Sequence, residues 1–433
     1  MTRWLQRIPV PLRRMSAFAL LPVLSTLSNL VLLPTVSSLF GQPGWTSVVL
    51  GQGIGAAASV VCSLQWPTEG PALVATSPAD RRPAILRASM RSRGVVVAAC
   101  LPLTALVVWL VQPADPLVCV LSAFSVTAIG LSPAWYFIGI GRPGALVWLE
   151  GVPRLVGNAV SLGLLLLLDA PLWTFPLVML VVSCGTALVS WSVVAGRTRR
   201  GPHVWRNPQG RRSLGFATFA RTLDAGYSFI AGPVVALLAP AAYPLFGACD
   251  RLAKVVLGGL AIVPQGAAGW VSEPPTDRER AQRARRASVL VLPLALLVAA
   301  FLAVATPTLV RLLFAGTVSV GHLTSALAGA VVALAFLGHA LFLTGLAPIG
   351  SASQGYRYLI AAFTVGLPAL VVGALVEGAN GALIGSICSG LVLTTLSLRR
   401  IWSVTAATVA AAPAPAPVLC TTAVPGQSDR KAS

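Results

Sequence analysis

The chain has 433 residues, of which 56% are hydrophobic and only 10% charged, and its mean hydropathy is +0.82. A soluble chain carries about 25% charged residues, so this composition excludes a large soluble protein and predicts a polytopic membrane protein. The formal net charge of +19 comes from 31 Lys+Arg against 12 Asp+Glu. Because these basic residues lie in short loops between apolar runs, they indicate membrane topology and exclude a nucleic-acid-binding protein.

The start of the chain, "MTRWLQRIPVPLRR", is basic, but the apolar run after it is too long for a signal peptide and has no small-residue cleavage site. We expect residues 1–15 to form a cytoplasmic lead-in to the first span. A spanning helix needs about 20 apolar residues. Twelve segments meet this requirement: 16–39, 45–66, 94–112, 116–138, 144–168, 172–195, 214–237, 241–264, 288–307, 321–346, 358–376 and 380–398.

The apolar segments divide into two halves, which predicts an all-α membrane protein with a six-helix bundle over 16–195 and another over 214–400. A cytoplasmic linker rich in Gly, Pro and Arg, 196–213, joins the bundles, and the Ala/Pro-rich end, 401–433, is predicted to be a disordered cytoplasmic tail. Arg311 is the one Lys or Arg outside the spans that falls on the opposite side from all the others. The positive-inside rule therefore places both termini in the cytoplasm, with very short outer loops.

The halves resemble each other in the basic loops that follow spans two and eight, "WPTEGPALVATSPADRR" and "WVSEPPTDRER". Each has a Trp, then a Glu three residues later (Trp66 and Glu69, Trp270 and Glu273), then Asp-Arg and further arginines. An even number of spans in each half would make this a parallel repeat, as in many transporters. Chance similarity between two basic loops is the alternative.

Seven charged residues fall inside predicted spans: Glu150, Arg154, Arg221, Asp224, Asp250, Arg251 and Lys254. A charge in the membrane costs a few kcal/mol, so such residues usually face protein or a water-filled cavity. One interpretation is internal pairing at i,i+4 or i,i+3 spacing (Glu150 with Arg154, Arg221 with Asp224, Asp250 with Lys254), which would only lock the spans together. However, four cations against three carboxylates leave one cation over, which we expect to be Arg251.

We therefore expect a hydrated, net-positive cavity between the halves, with Glu150 and Arg154 both facing it. Such a cavity suits an anionic group, because arginine binds phosphate oxygens well. The predicted substrate-binding cations are Arg154, Arg221, Arg251 and Lys254. The carboxylates predicted to tune these charges, or to couple transport to a proton or sodium ion, are Glu150, Asp224 and Asp250.

Motifs of other functional classes are missing from the sequence. It has no Gly-rich phosphate loop, no Ser/His/Asp order and no metal-ligand spacing among its scattered cysteines, so we expect a non-enzyme without cofactor or metal. Trp135, Tyr136 and Phe137 are predicted to form an aromatic belt at the membrane interface. His339 lies inside a span, where packing is favoured over proton relay.

The stretch "LSPAWYFIGIGRPGALVWLEGVPRLVGN" resembles the Pro-x-Trp-Tyr/Phe-Phe-x-Gly segment of bacterial polysaccharide flippases of the Wzx type. The matching residues are Pro133, Trp135, Tyr136, Phe137, Gly139 and Arg154. The family often has Gly-x-Glu after the aromatic residues, whereas this chain has Gly139-Ile140-Gly141. "APAAYPLFGACDRLAKV" is similar to the family's second-half segment through Tyr243, Asp250 and Arg251, and "TPTLVRLLFAG" is similar to its outer loop before span ten.

This resemblance implies membership of the multidrug/oligosaccharidyl-lipid/polysaccharide exporter superfamily and a MATE-like fold around a central cavity. It implies a flippase in the bacterial cytoplasmic (inner) membrane that moves an oligosaccharide on undecaprenyl pyrophosphate by alternating access, for O-antigen or exopolysaccharide biosynthesis. The polyprenyl tail would stay in the membrane lipid. Partners would include the polysaccharide polymerase and glycosyltransferases of the same pathway.

Two other functions remain open. A MATE-type exporter of drugs or small cations should have a net acidic cavity. A membrane-embedded enzyme that uses the same lipid carrier would need a carboxylate on a long outer loop, whereas Asp115, Asp169 and Glu377 lie in short turns. A non-transporting scaffold fits least well with seven charges inside the membrane.

Overall fold

The computed structural model describes residues 10–64, 66–195, 229–274 and 276–410, with side chains described from residue 32 onward. Every regular element in these ranges is helical. The first half contains α1 (Val10–Ser63), α2 (Trp66–Thr76), α3 (Arg82–Val111), α4 (Pro116–Thr127), α5 (Ala134–Gly139), α6 (Pro143–Leu146), α7 (Val152–Leu167) and α8 (Thr174–Ala195). The second half contains α9 (Phe229–Leu238), α10 (Tyr243–Leu260), α11 (Ile262–Ser272), α12 (Asp277–Leu313), α13 (His322–Ala340) and α14 (Ala352–Ala410).

Eight helices in the described ranges are long and apolar enough to cross a membrane, which confirms a multi-pass membrane protein. Two of them, α1 and α14, break at Gly41 and Gly378, where φ is 62° and 57°. Glycine adopts this left-handed conformation without a steric cost, so each break can separate two consecutive spans. The counts of twelve spans and two bundles and the cytoplasmic placement of the termini stay predictions.

Helices extend further at the Arg-rich end than the sequence predicted. Residues 67–93 were expected to be a loop, but they hold most of α2 and the first turns of α3. The reason is local: Pro83 lies in the first turn of α3, where its missing N–H costs nothing. Similarly, Thr276 caps α12 by accepting a hydrogen bond from the Glu279 N–H, so α12 begins well before the predicted span.

The predicted tail boundary also needs correction, because α14 continues to Ala410, past Arg400. Residues 401–410 read "IWSVTAATVA" and lack proline, whereas the Ala/Pro alternation starts only at Pro413. Thr405 Oγ1 donates to the Ile401 carbonyl at 2.7 Å, and Ile401 is fully buried, so this last part of the helix packs on the protein. The rest of the tail, 411–433, and the linker, 196–213, lie outside the described residues.

The predicted aromatic belt is wrong. Trp135, Tyr136 and Phe137 are only 2%, 5% and 4% exposed, and the Trp135 ring lies 4.9 Å from the ring of Trp66. They belong to the six-residue α5, which packs against α2 rather than lining the lipid interface. Gly70 permits this contact, because a Cβ added there would come within 2.1 Å of the Trp135 ring.

The two halves meet at the Arg-poor end of the molecule. Trp45 packs on Phe314 with ring centroids 4.4 Å apart, and its Nε1 donates to Thr317 Oγ1 at 3.0 Å. Ser37 Oγ donates to the Phe314 carbonyl oxygen at 2.5 Å. We call these four residues, Ser37, Trp45, Phe314 and Thr317, the latch. Trp45 and Phe314 belong to a core cluster that includes residues of both halves and closes the molecule at this end.

Candidate functional site

A polar cavity of about 220 Å³ lies between the halves. It is lined by α1, α4, α7 and α8 from the first half and by α9 and α10 from the second. We call it the central cavity. It brings together four of the predicted site residues: Arg154 from the first half, and Asp250, Arg251 and Lys254, which come almost 100 residues later in the chain.

Arg154 reaches the cavity from the first turn of α7. Pro153 stands in that turn, where proline is accepted. Asn158 follows at i+4, so it lies on the same face and also lines the cavity. The other face of α7 carries Val156 and Val160, about half exposed, which suits contact with lipid.

The second-half charges are positioned by α10. Asp250 and Lys254 are four residues apart on one face, and Lys254 Nζ donates to Asp250 Oδ2 at 2.5 Å, which confirms the predicted pair. The Lys254 ammonium also lies 4.7 Å from the centre of the Phe229 ring on α9, a cation–π contact. Arg251 points into the same cavity and is half-buried.

Arg154 and Arg251 stand apart from the ion pairs. Within the described ranges the ion pairs are Asp250–Lys254, Asp277–Arg280 and Glu273–Arg283, so neither arginine has a carboxylate partner there. The described lining therefore holds three cations and one carboxylate, a net formal charge of +2. Ser122 adds a buried hydroxyl for which the described chain provides no hydrogen-bond partner.

Glu150 is not at the cavity, contrary to the sequence expectation. It is 5% exposed, and its carboxylate accepts a hydrogen bond from the Ser132 hydroxyl. The Ser132 carbonyl in turn accepts from Arg93 Nη1 at 2.9 Å, and Arg93 is 1% exposed. Glu150 lies in a π-helical turn over Val147–Gly151, directly before the first turn of α7 that carries Arg154.

Arg93 is a residue that the sequence analysis missed, since it was assigned to a basic cytoplasmic loop. Its Nη1 also donates to the Gly130 carbonyl at 2.9 Å, and its guanidinium lies 5.8 Å from the Trp135 ring. The sequence did offer one signal for a buried Arg93, namely its position directly before the predicted start of span three at residue 94. Arg221 and Asp224 lie outside the described residues, so their roles stay predictions.

A second, larger cavity of about 800 Å³ lies beside the first, and we call it the apolar chamber. It is lined mainly by α10, α13 and α14, together with the end of α1, and His339 is among the lining residues. Asp250 and Lys254 line both spaces, so the chamber and the central cavity adjoin along one face of α10. The sequence analysis did not predict it, because its apolar residues are typical of any spanning helix.

No protein-family model matches the chain, and no curated protein matches it by sequence. Solved structures do match by fold. The lipid II flippase MurJ in an inward closed conformation superposes with a TM-score of 0.61 at 10% identity, over 91% of this chain and 90% of that one. An inward-facing multidrug resistance MATE family transporter of the MOP superfamily gives 0.54 at 13%, over 90% and 98%.

A third match is a MOP superfamily transporter from Pyrococcus furiosus, described by the reverse polarity of its binding pocket. Its TM-score is 0.53 at 12% identity, over 90% of this chain and 96% of that one. At such identities the likeness concerns the fold, and the narrower Wzx-type family stays a prediction. The chain has the fold of the MOP superfamily transporters.

Proposed function

We propose that this protein is an alternating-access flippase of the bacterial inner membrane that moves an oligosaccharide carried on undecaprenyl pyrophosphate during polysaccharide biosynthesis. The observation that carries the proposal is the net-positive central cavity, in which Arg154 from the first half faces Arg251 and Lys254 from the second. The fold likeness to the lipid II flippase MurJ supports a lipid-linked substrate.

The chemistry of the cavity favours a pyrophosphate group. Arg154 and Arg251 have no carboxylate partner in the described chain, so their guanidinium groups can donate paired hydrogen bonds to phosphate oxygens. The effective dielectric constant between the helices is lower than in bulk solvent, which strengthens these interactions. The Ser122 hydroxyl can contribute a further hydrogen bond.

The arrangement of the halves indicates how the substrate would enter and leave the central cavity. The latch holds the Arg-poor end closed, while the chamber runs along α10 and α14 towards the Arg-rich end. The positive-inside rule predicts that the Arg-rich end is cytoplasmic. Substrate would enter from the cytoplasmic side, and rocking of the halves would open the latch and expose the central cavity outward. Asp250 is the described carboxylate placed to couple an ion to this motion, through its pair with Lys254.

A MATE-type exporter of apolar small molecules is the second candidate, and the apolar chamber is the observation that favours it. The net-positive central cavity argues against an exporter of cationic drugs, which needs a net acidic site. No feature of the described chain favours the alternative of a membrane-embedded enzyme acting on the same carrier.

Complementation tests the flippase proposal. The gene is deleted and restored as wild type, Arg154→Ala, Arg251→Ala or the control Arg311→Ala, an exposed arginine outside the cavity, with membrane levels matched. We expect wild type and Arg311→Ala to restore surface polysaccharide. The two cavity variants should leave lipid-linked intermediates on the cytoplasmic side.

Normal polysaccharide export in the deletion strain, together with increased drug sensitivity, would contradict the flippase and support the exporter. Full rescue by Arg154→Ala and Arg251→Ala would keep a flippase but remove these arginines from its substrate site.

A further inference from the structure

The apolar chamber is large enough for an organic ligand. Its volume of about 800 Å³ lies within the ~300–1,000 Å³ typical of drug-sized sites. Its walls are mostly aliphatic and aromatic side chains; Leu257, Ala335, Leu343, Leu359 and Leu383 are representative. Binding of an apolar group in a space with such walls is favourable, because apolar surface is removed from water.

The few hydroxyl groups of the chamber are mostly committed to the protein backbone. Ser63 Oγ donates to the Ser59 carbonyl at 2.7 Å, Ser386 Oγ to the Ala382 carbonyl at 3.1 Å, and Ser389 Oγ to the Ala362 carbonyl at 3.0 Å. A glycan inside the chamber would leave many of its own hydroxyl groups unpaired, which is costly. The walls therefore select an apolar chain over a sugar.

The chamber also adjoins a site for negative charge. Asp250 and Lys254 line the chamber on one side and the central cavity on the other, with Arg154 and Arg251 just beyond them. Since Lys254 and Asp250 neutralise each other, the unpaired positive charge belongs to the two arginines. A ligand that fills both spaces carries an anionic group at one end and an apolar chain at the other.

We propose that the chamber binds the segment of the lipid chain next to the pyrophosphate, so that the protein recognises a prenyl diphosphate as one amphipathic unit. This inference rests on the proposed function and extends it. It departs from the sequence expectation that the whole tail stays in lipid, because the first isoprene units would lie inside the protein between α10, α13 and α14. The remainder of the tail would leave the chamber.

Soluble prenyl diphosphates test the inference directly. Binding of dimethylallyl, geranyl, farnesyl and geranylgeranyl diphosphate to the full-length protein in nanodiscs is measured by calorimetry, with farnesol as the neutral probe. Each buried methylene should raise affinity roughly fourfold in an ideal apolar site, so we expect at least roughly a tenfold gain from dimethylallyl to farnesyl diphosphate. Farnesol should bind much more weakly than farnesyl diphosphate.

A variant pair separates the chamber from unspecific lipid partitioning. Ala335→Trp places a large ring in the chamber and should abolish the gain with chain length while dimethylallyl diphosphate binds as before, which also shows that the variant is folded. Val304→Trp, on a side chain 81% exposed and outside the chamber, is the matched control and should keep the gain.

The outcomes distinguish this inference from the proposed function. If every diphosphate binds equally, and Arg154→Ala weakens them all, the anion site stands and the chamber proposal is overturned. Equal binding of farnesol and farnesyl diphosphate would overturn the link between chamber and anion site. Failure of all diphosphates to bind would overturn the proposed function together with this inference.

Discussion

Ser132 joins Arg93 and Glu150, the two buried charged residues among the described side chains of the first half. Its hydroxyl donates to Glu150, and its carbonyl accepts from Arg93, so α3, the α4–α5 junction and the π-helical turn before α7 are tied at one point. This π-helical turn leads directly into the first turn of α7. The Ser132 contacts that hold the turn therefore set the position from which Arg154 enters the central cavity. Ser132, Glu150 and Arg93 thus act on the cavity through the backbone rather than by touching substrate.

Ser132→Ala removes the hydrogen bond that the buried Glu150 carboxylate accepts. Leaving a buried acceptor unpaired costs about 1–3 kcal/mol, so we expect a lower thermal unfolding temperature of the purified protein. Ser38→Ala is the control, since that exposed serine only donates to the Thr35 carbonyl and its removal should change stability by at most about 0.5 kcal/mol. Equal unfolding temperatures for the two variants would show that Ser132 does not support Glu150.

The residue scale also shows where sequence reasoning succeeds. The Asp250–Lys254 pair was predictable because both partners lie on one turn of one helix. The environment of Glu150 was not, since its partner Ser132 is 18 residues away in the chain. The i,i+4 rule describes contacts within one regular helix and does not include a tertiary contact such as this one.

At the scale of elements, α1 and α4 approach closely through small residues. Gly51 and Gly55 are spaced as in small-xxx-small helix contacts, and a Cβ at Gly55 would come within 2.3 Å of the Ala123 carbonyl oxygen. The same two helices supply Gln52, Ser122 and others to the wall of the central cavity. The width of the cavity therefore depends on this contact.

Gly55→Ala should push α1 and α4 apart and destabilise the protein by about 1–3 kcal/mol, the usual cost of overpacking. Gly163→Ala in α7 is the matched control, because nothing lies within 4 Å of the added Cβ and alanine is the better helix former, by about 0.5–1 kcal/mol. Thermal unfolding of both variants checks the prediction; a loss of stability for Gly163→Ala but not for Gly55→Ala would refute it.

The positions of most helices could be read from apolar runs, because lipid forces the backbone into helices that satisfy their own hydrogen bonds. Helices beyond the apolar runs were less predictable. α2 and the first turns of α3 were taken for a loop, since their charged and proline residues resemble a linker. The burial of α5 was missed because aromatic residues suit an interface belt and a packed core equally well.

At the scale of the whole molecule, the structure corresponds to one of the two states of the proposed alternating-access cycle. The halves contact each other at the latch and in a second buried cluster, where Leu50 and Ile54 of α1 pack with Ala236 and Tyr243. The central cavity lies between the halves further along α10. In the proposed mechanism, opening towards the outside requires the latch contacts to break. The latch has three interhalf polar contacts and one aromatic pair, a small number that suits a contact that would form and break in each cycle.

A cross-link across the latch tests this view of the transport cycle. Ser37 Oγ and Thr317 Oγ1 lie 3.2 Å apart, so cysteines at both positions should form a disulfide under mild oxidant, and transport should stop until a reductant is added. A protease site in the 196–213 linker reveals the cross-link, since cleaved halves stay joined only when the disulfide is present. Ser38→Cys with Thr317→Cys is the control, because Ser38 is exposed and its hydroxyl bonds within α1. Continued transport by a fully cross-linked Ser37/Thr317 variant would show that the Arg-poor end stays closed throughout the cycle, and alternating access at this latch would then be wrong.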